Sequence, residues 1–242
     1  MNVEGAAEPA VLNVRRIVIS GVLGAITILL GWTGLGFIPV PNLAGSATIM
    51  HIPTIVGGVM EGWPVGAILG LLFGIFSFLR ATDPIFKDPL IAILPRLFIG
   101  VTAFLAYTAV RRSSRYVALG GVAFTGVLIG LFVHVIVQPY SAAVAEPAAV
   151  AIGALAALGL AHVTLRYPTE YLALVISAIV GTLTNTFLVL GLAGLRGYVP
   201  WALMPPILLT NAVPEVIIAI ILVVAVVTAW KRIETGNTRA KM

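Results

Sequence analysis

The chain has 242 residues, of which 60% are hydrophobic and only 10% charged, with a net charge of +5. Soluble domains carry roughly 25% charged residues, so a water-facing exterior is excluded and a lipid-facing one fits. The absence of cysteine excludes disulfides, thiolate metal sites and cysteine nucleophiles, and the basic residues cap apolar runs instead of alternating with aromatics, which argues against a nucleic-acid face.

A membrane-spanning helix needs roughly 20 apolar residues. Residues 1–13 read as an N-terminal tail. In the first span, Val14–Gly36, Arg15 and Arg16 precede an apolar stretch from Ile17 to about Leu35, too long for a signal-peptide core, so it reads as a retained helix. A charge-free loop, Phe37–Ala47, follows, broken by Pro39, Pro41 and Asn42. Thr48–Met60 is too short to cross alone. It ends at Glu61-Gly62-Trp63-Pro64, where Pro64 suits the first turn of a helix that runs to about Leu79. A polar loop, Arg80–Pro89, leads into Leu90–Val110, closed by Arg111, Arg112 and Arg115. Further spans are expected over about Val117–Gln138, Ala148–Leu165, Tyr171–Leu195 and Leu203–Trp230, with residues 231–242 as a polar tail. The expectation is one integral membrane domain over 1–242 with eight membrane segments, one of them short. The pair at about 117–165 has no polar content that points to a site and reads as an insertion.

Charge orients this bundle. With the N-terminus in the cytoplasm, the inner ends carry Arg15, Arg16, Arg111, Arg112, Arg115, Arg166, Lys231, Arg232, Arg239 and Lys241. The outer loops carry only Arg80, Lys87 and Arg196. Such asymmetry sets orientation, so both termini are expected in the cytoplasm of a cell-membrane protein. A six-segment reading would bury or misplace a basic cluster. Gly66, Gly70 and Gly74 share one helix face and suit close backbone packing in lipid. Gly21 and Ala25 form a second small pair on the first helix, open to a neighbouring subunit or to the chain's own core.

Polar side chains within spans are costly and ask for a reason. They are His51, Arg96, Asn185 beside Thr182, Thr184 and Thr186, then Asn211 and Glu215 beside Pro214. The outer loops add Asn42, Ser46, Arg80, Asp83 and Lys87. All fall in the outer half or near the middle, with Phe86, Trp32 and Trp201 as nearby apolar walls. A mostly apolar cavity with a few placed polar groups is what a small-molecule site requires. Each group also has a plainer reading: Arg96 pairing with Glu215, the asparagines bonding between helices, His51 as a structural hydrogen-bonder. His134 and His162 read as structural. No nucleotide-binding G-x-x-x-x-G-K-[ST], no H-E-x-x-H and no G-x-S-x-G occurs, and no convincing inverted repeat marks a two-halved transporter.

The run Thr48-Ile49-Met50-His51-Ile52-Pro53, with Gly57, Gly58, Glu61-Gly62 and Gly66-Ala67-x-x-Gly70-x-x-Phe73-Gly74-x-x-Ser77, resembles the substrate-binding S components of energy-coupling factor (ECF) vitamin transporters. So do Asp88-Pro89-Leu90, Leu94-Pro95-Arg96, Gly181-Thr182-Leu183-Thr184-Asn185-Thr186 and Asn211-Ala212-Val213-Pro214-Glu215. The pantothenate-type branch is the nearest in character. The resemblance implies an all-α transmembrane bundle with a six-helix core, from which the pair at 117–165 departs. It implies a vitamin-like ligand bound near the outer surface, a transmembrane T component and two ATP-binding-cassette ATPases as partners, and no enzyme activity or cofactor. It also implies T-component docking at the Gly21/Ala25 face.

For a ligand such as pantothenate, Arg96, Arg80 or Lys87 would meet the carboxylate. Asn42, His51, Asn185 and Asn211 would serve amide and hydroxyls, with Glu215 completing the candidate set and loop Phe37–Ala47 as a lid. Other readings are a stand-alone carrier or channel for a small polar solute, a membrane enzyme using His51 and Glu215, and a ligand-free assembly subunit.

Overall fold

The computed structural model describes residues 14–39, 46–138, 141–166 and 168–239. Among them are eight α-helices: α1 (Val14–Thr33), α2 (His51–Glu61), α3 (Trp63–Leu79), α4 (Pro89–Arg112), α5 (Arg115–Val137), α6 (Ala142–Arg166), α7 (Thr169–Leu195) and α8 (Met204–Arg239). Five of these elements contain stretches long and apolar enough to cross a bilayer. Large apolar side chains such as Ile17, Leu29, Leu105, Leu155 and Ile221 point outward, where only lipid can satisfy them. The chain is an all-α, multi-pass membrane bundle.

Local chemistry sets the helix ends. The Asp88 side chain accepts from Leu90 N at 3.0 Å, and Pro89 occupies the first turn of α4. An oxygen acceptor followed by a residue with no N–H is a strong helix start. Gly62 separates α2 from α3 with φ +94°, a backbone state that a Cβ would strain. This break lets the short α2 fold back against α3.

Three boundaries differ from the sequence reading. The loop expected over Phe37–Ala47 contains a small antiparallel hairpin of β1 (Phe37–Pro39) and β2 (Ser46–Thr48), with Phe37 opposite Thr48. Thr48 therefore belongs to a strand, and the short helix begins at His51. Helix α6 starts at Ala142 and takes Pro147 inside it. Helix α8 continues past Trp230 to Arg239, where the polar tail was expected.

Helix α4 lies at the centre, packed by α3, α7 and α2. The expected glycine face on α3 meets it. A Cβ on Gly66 would stand 2.8 Å from Gly100 Cα, one on Gly74 2.9 Å from Ile93 Cα, and one on Gly70 would overlap the carbonyl of Arg96. These backbones touch directly, which requires residues without side chains. Fully buried Met50, Ile55, Leu69, Phe73 and Ile99 fill the core beside this seam. Helices α5 and α6 pack chiefly on each other and only lightly on α7 and α8.

Polar staples tie the two ends of the bundle. At one end Arg16 Nε meets Glu61 Oε2 at 3.4 Å, joining α1 to α2. There too Lys231 bonds Glu170 and, at 3.0 Å, Tyr107 Oη, joining α8, α7 and α4. At the other end Arg196 Nε meets Asp88 Oδ2 at 2.5 Å, joining α7 to α4. The hairpin lies at this second end.

Candidate functional site

A cavity of about 580 Å³ opens at the hairpin end. That volume lies within the range of small-molecule sites. Its walls come from six places: Gly34, Phe37 and Thr48 around the hairpin; Phe73, Ser77 and Arg80 of α3 and its end; Thr82, Asp83 and Phe86 of the connection; Arg96 of α4; Asn185 and Thr186 of α7; and Asn211 and Glu215 of α8.

Arg96 is the central cation, only 3% exposed. Its environment follows from the residue before it. Pro95 sits inside α4 and has no N–H to give to the carbonyl of Ile91, four residues back. Arg96 Nη1 takes that carbonyl instead, at 2.5 Å. The guanidinium carbon lies 5.3 Å from the Phe73 ring centroid and 5.1 Å from that of Phe86, within cation–π range. Nε is shut away without a hydrogen-bond partner.

Glu215 does not form an ion pair with Arg96, although both line the cavity. Its Oε1 accepts the backbone N–H of Thr48 at 2.7 Å and so fastens the hairpin to α8. Thr48 Oγ1 donates to Gly36 O at 3.0 Å, which closes the base of the hairpin. Asn185 Oδ1 is buried without a hydrogen-bond partner, and such an acceptor is costly unless something donates to it. Arg80 reaches across to α1, where Nη1 donates to Trp32 O at 2.7 Å. Asp83 Oδ1 accepts from Ile85 N at 2.8 Å, so this carboxylate serves its own turn. Two arginines and two acids therefore balance on the lining.

Five of the expected residues meet in this cavity: Arg80, Arg96, Asn185, Asn211 and Glu215. Three do not. His51 is fully buried at the start of α2, off the cavity wall, with the Thr48 backbone approaching its ring as a polar partner. Lys87 is exposed at the end of the turn Pro84–Lys87 and lines nothing. Asn42 lies outside the described residues. Of the expected apolar walls only Phe86 takes part; Trp32 and Trp201 are mostly exposed. Gly21 has open space where a Cβ would stand, and Ala25 is exposed on the same outward face of α1.

The sequence reading gave no site role to Thr48, Phe73 or Ser77, and named Asp83 and Thr186 only as members of the polar cluster. Phe73 and Ser77 are four residues apart on one face of α3, beside the glycine seam, and that spacing was the available signal. Nothing local marks Thr48, which the hairpin carries to the wall.

The chain matches the family described as "ECF transporter, substrate-specific component" over residues 15–227. It is also similar to a protein of Lactococcus lactis subsp. cremoris (strain MG1363) named "Pantothenic acid transporter PanT". That likeness is 29% identity over 104 residues, covering 34% of this chain and 53% of the relative. The chain thus spans about half the length of the curated relative it matches. A match over nearly the whole helical bundle decides the matter: the chain belongs to the ECF transporter substrate-specific component family, whose members are substrate-binding transport subunits.

Proposed function

We propose that this chain is the S component of an ECF importer for a small carboxylate vitamin, with pantothenate the favoured ligand. The observation that carries the reading is Arg96, a buried cation on the wall of a ligand-sized cavity that makes no direct ion pair with a carboxylate, its electrostatic neighbour Glu215 being engaged by the Thr48 N–H. A buried charge without a direct partner is expensive, and an anionic ligand would supply one. Asn185 and Asn211 stand beside it for the amide and hydroxyls, and the name of the lactococcal relative supports pantothenate.

The rest of the reading follows from orientation. The basic ends of α4, α6 and α8 support a cytoplasmic side for both termini under the positive-inside rule. The cavity then faces outward from the cell membrane. The open face around Gly21 and Ala25 is where the T component would dock, and two ATPases would supply the energy. Helices α5 and α6 are an addition to a six-helix core formed by the other helices. The test is the small molecule that co-purifies with the chain, identified by mass spectrometry, followed by titration with pantothenate. Retained pantothenate bound by the lone chain is expected; ATP-independent pantothenate flux in liposomes holding this chain alone would favour a carrier instead.

A further inference from the structure

Three restraints converge on the Arg96 guanidinium. Its lower edge is held by the Ile91 carbonyl, which is available because Pro95 carries no N–H. Phe73, from the middle of α3, and Phe86, from the turn Pro84–Lys87, both present ring faces to it. With Nε enclosed and Nη1 already engaged, the part left to the cavity is the Nη end of the fork. A free arginine side chain samples many rotamers, and fixing it lowers the entropy lost when it binds.

We infer that Pro95 and Phe86 are positioning residues that hold the Arg96 guanidinium end-on to the cavity, and that this sets the site's preference for a carboxylate over a neutral group of the same shape. The inference rests on the carboxylate reading above and adds what makes it selective. Phe86 is half-buried in a surface turn and packs on the edge of the apolar cluster around Ile91, Leu190 and Ile207, so Phe86→Leu keeps apolar bulk there while removing the ring face. Replacing Pro95 by Ala restores a helix N–H that competes with Nη1 for the Ile91 carbonyl. Because it removes a proline from a helix interior, it cannot act by weakening the helix.

The experiment compares pantothenate with pantothenol, its neutral alcohol analogue, as ligands of the purified full-length chain. It also follows the arginine side-chain 15N signals without ligand, with Arg96 assigned through Arg96→Lys. In the parent chain Arg96 should show separate, slowly exchanging Nη signals. Phe86→Leu and Pro95→Ala should merge them and reduce the pantothenate-to-pantothenol affinity ratio by about tenfold. Phe86→Tyr, which keeps the ring, should restore both readouts. Unchanged Nη signals in both variants overturn the inference. So does an unchanged ratio in a chain that prefers pantothenate. Hindered Nη signals that merge in the variants, in a chain that does not bind pantothenate, would uphold the positioning and refute the ligand assignment.

Discussion

Substituting Gly70 by Ala tests how the packing of α3 on α4 builds the site. At Gly66 and Gly74 an added Cβ would stand 2.8 and 2.9 Å from backbone atoms of α4, and at Gly70 it would overlap the Arg96 carbonyl itself. Ordinary contact needs roughly 3.4 Å or more. The helices must therefore part by roughly 1 Å at Gly70, since a helical carbonyl cannot rotate away as a side chain can. Overpacking of this kind costs about 1–3 kcal/mol. The displaced segment carries Arg96, so its guanidinium leaves the faces of Phe73 and Phe86. Gly70→Ala should unfold several degrees lower in detergent and bind pantothenate about tenfold more weakly, one factor of ten being about 1.4 kcal/mol. Thermal unfolding followed by tryptophan fluorescence and calorimetric titration would measure the two effects. Gly21→Ala is the control, because nothing stands within 4 Å of a Cβ at that position. Equal unfolding temperature and affinity in Gly70→Ala and the parent would refute the reasoning.

Arg96→Gln should weaken pantothenate at least tenfold while leaving pantothenol binding within a factor of about three, since charge-assisted bonds are worth about 1.5–3 kcal/mol; competition binding checks it. Glu215→Ala leaves the buried Thr48 N–H without its acceptor and should cost about 1–3 kcal/mol, whereas Glu215→Gln keeps an oxygen there and should lose less, as thermal unfolding of the two variants will report. His51→Leu should change the unfolding temperature little, because the buried ring has at most a weak approach to the Thr48 backbone to lose. It should leave pantothenate affinity unchanged, since His51 is not on the cavity wall.

The membrane bundle and its helix order were legible because span length and charge asymmetry are strong, local signals. The glycine spacing on α3 was equally local, and it pointed to the helix contact that the structure contains. For the site, buried polar residues in apolar helices were the readable feature, and Arg96, Asn185, Asn211 and Glu215 all line the cavity. The same rule misplaced His51, because polarity inside a span says nothing about which face of the helix a residue occupies. Lys87 illustrates a further limit, since its loop position left its direction open and it points to solvent. The hairpin was hidden because β1 and β2 are three residues each, too short for an alternating pattern. Thr48 became visible only through its bond to Glu215, 167 residues away.

The central claim is that this chain holds a carboxylate vitamin through Arg96 in the outward cavity. The most direct test is calorimetric titration of the purified chain, alone in detergent, with pantothenate and then with pantothenol. Saturable one-to-one binding of pantothenate and at least tenfold weaker binding of pantothenol are expected. Absence of pantothenate binding, or equal affinity for the two molecules, would contradict the claim.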